Sequence, residues 1–87
     1  MSFPPDFQAA VDKTKTFTKR PDNQELLTLY ALFKQATEGD ATGERPGGFD
    51  FKAVAKFDAW AEQRGKSKEA AAGEYIVLVN KLAESYQ

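Results

Sequence analysis

A chain of 87 residues with no cysteine and no histidine cannot be stapled by disulfides, offers no thiolate or imidazole to a metal, and lacks the usual general base. Its formal net charge of -1 argues against broad nucleic-acid binding, which leaves a basic footprint. A domain of this size buries only about 60–65% of its unfolded surface, so 7 Phe, 3 Tyr and 1 Trp must build the core by packing alone.

Met1-Ser2-Phe3-Pro4-Pro5-Asp6 has no basic segment followed by an apolar run, so no secretory leader is expected. Pro4 and Pro5 suit a helix entrance, where a missing N–H costs little. Phe7, Ala10, Val11, Thr14 and Phe17 then recur at three- and four-residue spacing, which predicts an amphipathic first helix over residues 5–17. Lys13, Lys15, Lys19 and Arg20 follow Asp12 without an intervening acid, a local basic patch in a chain of nearly balanced charge. Pro21 breaks the chain before the second helix.

Asp22 and Glu25 have the spacing of a capping box, so a second helix is predicted over Asn23 to Glu38, ending at a left-handed Gly39. Leu26, Leu29, Tyr30 and Phe33 form one apolar stripe, widened by Leu27 and Leu32. Residues 39–48 read as a loop longer than a simple helix–helix turn. Asp50 is the expected N-cap of a third helix ending near Arg64-Gly65, with Phe51, Val54, Phe57 and Ala61 inside and Trp60 at a flank. Ser67 is the expected N-cap of a fourth, from Lys68 to Ser85, packed through Ala71, Tyr75, Val79 and Leu82, with Tyr86 continuing the period. No segment reads as a strand, and none reaches the 18 or so consecutive apolar residues of a membrane span. The chain is therefore expected to be a single all-α domain over 1–87, a four-helix bundle with one long crossover.

Lysines and aromatics share short helical intervals in two places: Tyr30 with Lys34, and Lys52 with Lys56 beside Phe51 and Phe57. An aromatic face beside a cation suits a ligand that is flat at one end and phosphorylated. Periodicity alone also accommodates the plainer reading, in which the lysines are the solvated side of amphipathic helices and the tyrosines are core residues.

The literal strings favour the first reading. Tyr30-Ala31-Leu32-Phe33-Lys34-Gln35-Ala36-Thr37-Glu38-Gly39-Asp40, then Glu44-Arg45-Pro46-Gly47, then Asp50-Phe51-Lys52-Ala53-Val54-Ala55-Lys56-Phe57-Asp58-Ala59-Trp60 closely resemble the acyl-CoA-binding protein family. The likeness extends from near Phe7 through Ser67-Lys68-Glu69-Ala70 to Tyr75-Ile76 without an insertion. It implies an up-down-down-up bundle with an overhand crossover in the long loop. It also implies a cytoplasmic, monomeric, non-enzymatic carrier and pool former for medium- to long-chain fatty acyl-CoA, needing no cofactor and no metal. Carried over by position, the resemblance puts Tyr30, Lys34 and Lys56 around a 3′-phosphate and Phe33 against adenine. Lys15 and Tyr75 fall at further ligand contacts; Phe7, Leu27 and Lys52 are secondary ones. Phe33 stands where many members have Tyr, so a ring face is kept and a hydroxyl lost, and Phe57 replaces a frequent Trp. The alternative is a helical protein–protein interaction module with no lipid ligand, its aromatics and lysines facing a partner helix.

Overall fold

The structure, a computed structural model, describes residues 5–87. Four helices form: α1 (Pro5–Thr14), α2 (Asn23–Glu38), α3 (Phe51–Ala61) and α4 (Lys68–Tyr86), and no strand occurs among the described residues. Pro5 opens α1; Pro4 lies outside the described residues.

The helix starts follow from their caps. Asp22 accepts the Glu25 backbone N–H at 2.8 Å while the Glu25 carboxylate accepts the Asp22 N–H at 3.1 Å, a complete capping box. Asp50 caps α3 through the Ala53 N–H, and Ser67 caps α4 through the Ala70 N–H, each at 3.1 Å. The ends are less regular. α1 stops at Thr14 instead of running to Phe17, because Lys15, Thr16 and Phe17 donate three residues back and the hydroxyls of Thr14 and Thr16 occupy the carbonyls of Val11 and Lys13. α3 likewise stops at Ala61, and tighter i→i−3 turns carry the chain to Gly65. Gly39 has the expected positive φ of 83°, but its ψ of -150° lies in the extended region reserved for glycine, not in the left-handed helical one.

Contacts between elements fix the topology. Phe7 meets Tyr75 with ring centroids 5.1 Å apart, Lys13 Nζ reaches Asn80 at 3.4 Å, and the N–H groups of Thr18 and Lys19 donate to the Tyr86 carbonyl. These pairings advance together, so α1 and α4 run parallel. Tyr86 donates its hydroxyl to Glu25 at 2.7 Å, whereas Gln35 at the other end of α2 donates to the Lys66 carbonyl at 2.7 Å, so α4 runs against α2. α3 lies on α2 in the same direction, as the seam below shows. The order is up-down-down-up, with α4 between α1 and α2, and α3 on the far side of α2. The bundle measures 36 × 30 × 16 Å.

The core is Phe7, Ala10, Leu29, Leu32, Ala36, Ala71, Ala72, Tyr75, Val79 and Leu82, where α1, α2 and α4 meet. The backbones of α1 and α2 do not pack on one another; Phe7 crosses the gap to stack on Phe33 at 5.9 Å and 20°. Two expectations for α3 are reversed. Phe51 is 74% exposed rather than internal, and Trp60 is 8% exposed rather than flanking. α3 packs against α2 alone among the described helices, so a narrow strip suffices, and Phe51 at its first turn overhangs that strip.

The crossover loop is pinned where it leaves α2. Gln35, with no exposed surface, donates from one amide nitrogen to Asp40 at 2.9 Å and to the Lys66 carbonyl. Its Oε1 has no partner among the described residues, so those two donated bonds carry its role. Asp40 also accepts the Gly65 N–H at 2.9 Å, and Trp60 donates its indole N–H to Gly39 at 2.8 Å. Farther along, Arg45 grips Asp58 with two nitrogens, at 2.7 and 2.8 Å.

Phe7→Ala is expected to destabilise the protein by about 3–5 kcal/mol in urea unfolding followed by the single tryptophan; a loss below about 1 kcal/mol would contradict the core described here. A second expectation concerns acid. The Gln35 bond first, then the Gly65 N–H, hold the Asp40 carboxyl below its ordinary value of 3.8. A lowered folded value means that its stabilisation is present above 3.8 and is lost as pH falls through the folded value. Asp40→Asn should therefore flatten the fall in stability below that pH; an unchanged acid limb would show that the linkage is absent.

Candidate functional site

Two cation–aromatic contacts line the seam between α2 and α3. Lys56 Nζ sits 5.3 Å from the centre of the Tyr30 ring, and Lys34 Nζ 4.8 Å from the centre of the Trp60 ring. Tyr30 and Lys34 are i,i+4 on α2, as are Lys56 and Trp60 on α3. The rungs are thus one turn apart, about 6 Å along the axis, and advance in the same direction on both helices. This parallel alignment brings Lys34 and Lys56 out along one seam. The Lys34 ammonium is also paired with Glu38, one turn farther on. The Trp60 indole N–H is already used on Gly39, which leaves the ring face to Lys34.

Two depressions open beside this seam. The larger, about 490 Å³, is lined by Arg20, Asn23, Leu26, Leu27, Tyr30, Phe51, Lys52, Ala55 and Lys56. It carries three cations and no acid on an apolar floor, and its volume falls within the range usual for small-molecule sites. Arg20 is held toward α2 by a 3.2 Å bond to Asn23. The smaller, about 340 Å³, occupies the gap that α1 leaves beside α2 and is lined by Thr14, Phe17, Pro21, Leu26, Leu29, Tyr30, Phe33 and Tyr75. Leu26 and Tyr30 line both, so the charged depression adjoins the apolar one across a shared edge.

The arrangement gathers most of the residues singled out in the sequence. Tyr30, Lys52, Lys56 and Leu27 share the cationic depression; Tyr30, Phe33 and Tyr75 share the apolar one. Lys34 lies one turn along the seam. Tyr75 is 5% exposed, and burial raises its phenol above the ordinary 10.0 against a lowering contribution from Thr14, so it stays neutral. Phe7 is 1% exposed, packed between Phe33 and Tyr75 beneath the groove. Lys15 stands exposed on the turn after α1 and lines neither depression.

Other participants escaped the sequence. Arg20 was visible as part of the basic run after Asp12, but nothing local says that the link from α1 to α2 folds over the mouth. Phe51 shows the same periodicity as a core residue. Glu38 and Trp60 become partners of Lys34 only through the i,i+4 spacing on one helix and the packing of the other. Chemically, the seam can hold a phosphate between ammonium groups and a phenol hydroxyl, and the adjoining groove can cover flat or aliphatic surface.

The family model "Acyl CoA binding protein" matches residues 5–79. An acyl-CoA-binding protein homolog of Drosophila melanogaster is 52% identical over 92% of this chain and 93% of its own, and an acyl-CoA-binding protein of Dictyostelium discoideum is 45% identical over 92% and 95%. The crystal structure of Oryza sativa acyl-CoA-binding protein 2 superposes with a TM-score of 0.86 at 44% identity, covering 91% of this chain and 88% of that one. With most of its length matched in sequence and in fold, the chain belongs to the acyl-CoA-binding protein family.

Proposed function

We propose that the protein binds medium- to long-chain fatty acyl-CoA esters non-covalently and carries them, as a cytosolic monomer, without transforming them. The observation that carries this reading is the emergence of lysines from two helices along one seam beside an apolar groove. In this reading Lys34, Lys56 and the Tyr30 hydroxyl take the 3′-phosphate, while Lys52 and Arg20 extend the positive rim toward the remaining phosphates. The Phe33 ring presents its free surface to the adenine, and Leu26, Leu27 and Leu29 serve aliphatic surface. Lys15 meets the ligand from the turn after α1, outside both depressions, Tyr75 lines the apolar groove with a buried phenol, and Phe7 supports Phe33 from below. A carrier reading also fits a chain without histidine or cysteine, whose Ser67 hydroxyl is engaged as a helix cap.

Both halves of such a ligand matter energetically. Charge-assisted bonds contribute about 1.5–3 kcal/mol each. A sixteen-carbon tail has a ceiling of roughly 12 kcal/mol if every methylene leaves water. Lysines alone would accept any nucleotide, and an apolar groove alone any fatty acid.

Calorimetric titration with palmitoyl-CoA and with its analogue lacking the 3′-phosphate tests the reading, and the analogue is expected to bind more weakly. Equal, tight binding of the two would remove the role given to the seam. Lys34→Ala should lower palmitoyl-CoA affinity by about 1.5–3 kcal/mol with the helical spectrum unchanged. Glu38→Gln should raise it, by up to ~1 kcal/mol, because the ammonium no longer has a carboxylate to leave. A weaker-binding Glu38→Gln variant would mean that Glu38 positions Lys34 instead of competing for it.

A further inference from the structure

Tyr86 is the last residue of α4 and lines neither depression. It nevertheless holds the α1–α2 link in three ways. Its phenol donates at 2.7 Å to Glu25 Oε1, the same oxygen that accepts the Asp22 N–H in the capping box of α2. Its backbone carbonyl, one of those a helix end leaves without an intrahelical partner, accepts the Thr18 N–H at 2.8 Å, the Lys19 N–H at 3.2 Å and the Thr18 hydroxyl at 3.2 Å. Its ring lies 6.4 Å from that of Phe17, tilted by 36°.

These contacts bracket a very short span. The Tyr86 carbonyl fixes the chain at Lys19, and the Tyr86 hydroxyl, through Glu25, fixes it again at Asp22. Only Arg20 and Pro21 lie between. Arg20 lines the cationic depression and Pro21 the apolar one, where Phe17 also stands. Pro21 is buried and has its φ set by the ring, but Thr18, Lys19 and Arg20 are exposed and gain little from burial. Their course therefore depends on hydrogen bonds. The phenol–carboxylate bond belongs to the stronger, charge-assisted kind, and it joins the end of α4 to the start of α2. Packing on Phe17 would need only a phenyl ring; the hydroxyl adds the tie to Glu25.

Building on the carrier reading above, we infer that Tyr86 is a positioning residue for the ligand site: by clamping both ends of the Arg20–Pro21 span it holds Arg20 over the anionic part of the ligand and Pro21 and Phe17 along the groove. Binding then draws on a link that is already ordered, and holding a loop in its bound course raises affinity by lowering the ordering cost. Tyr86 does this without touching the ligand.

Tyr86→Phe keeps the ring on Phe17 and the backbone carbonyl, and removes the hydroxyl alone. Titrated with palmitoyl-CoA at a temperature where circular dichroism shows it fully folded, this variant should bind about two- to tenfold more weakly, the ordering cost of one side chain. Without ligand, its Thr18 and Lys19 amides should exchange hydrogen several-fold faster than the parent's. A general loss of packing would not depend on Arg20, so the decisive readout is the pair. In an Arg20→Ala background the cost of Tyr86→Phe should shrink by at least about twofold. Glu25→Gln, which keeps an acceptor for both the phenol and the cap, should bind more tightly than Tyr86→Phe. Parent-like affinity of Tyr86→Phe, unchanged amide exchange, or an undiminished cost without Arg20 would each overturn the positioning role while the carrier reading stands. A parent protein that does not bind palmitoyl-CoA would overturn the carrier reading, and this inference with it.

Discussion

Two helices adjacent in sequence can lie parallel only if the chain between them travels back along the molecule, and that constraint governs this structure. The crossover joining α2 to α3 must stay ordered over a path that contributes little apolar burial of its own. Polar contacts hold it at its start: buried Gln35 and the Gly65 N–H converge on Asp40, while the Trp60 indole closes on Gly39. The paired nitrogens of Arg45 on Asp58 hold its return limb against α3. Were α3 antiparallel to α2, Tyr30 and Lys34 could not meet Lys56 and Trp60 in the same order, and the lysines would not form one row. The cationic seam is therefore a consequence of the crossover.

The second determinant is what α1 does not touch. By packing on α4 and leaving a gap beside α2, α1 frees Leu26, Leu29, Tyr30 and Phe33 to line a groove, while Ala31, Leu32 and Ala36 on other faces of the helix are buried. α2 is thus amphipathic in three ways at once: buried toward α4, seamed with α3, and half-open toward α1. Such a helix needs a wide apolar arc, and the six leucines and aromatics from Leu26 to Phe33 provide it without any residue being a conspicuous marker of ligand.

These features explain what could be read from the chain alone. Helix starts were legible because Asp22, Asp50 and Ser67 carry their own hydrogen-bond logic. The end of α1 was not, because threonine hydroxyls compete locally for carbonyls and tighten the last turn, which periodicity cannot register. The Leu26–Phe33 stripe was legible as apolar but not as groove, since a core and a groove lining have the same spacing. Phe51 and Trp60 exchanged places relative to expectation because burial on α3 is set by α2, the helix it packs on among the described residues, not by its own periodicity. The pairing of Tyr30 with Lys34 was local and visible; that Lys56 joins them, with Arg20 arriving from another segment, depends on tertiary packing. The parallel topology came from the family resemblance, not from any pattern within the helices.

A double-mutant cycle on Lys34 and Lys56, read by calorimetry with palmitoyl-CoA, tests the central claim most directly. If both ammonium groups act on one phosphate, Lys34→Ala and Lys56→Ala must be non-additive, with an interaction energy of at least about 0.5 kcal/mol and up to roughly 3 kcal/mol. Costs that add to within about 0.3 kcal/mol would mean the two lysines serve separate places, and a shared anion site along the α2–α3 seam would be contradicted.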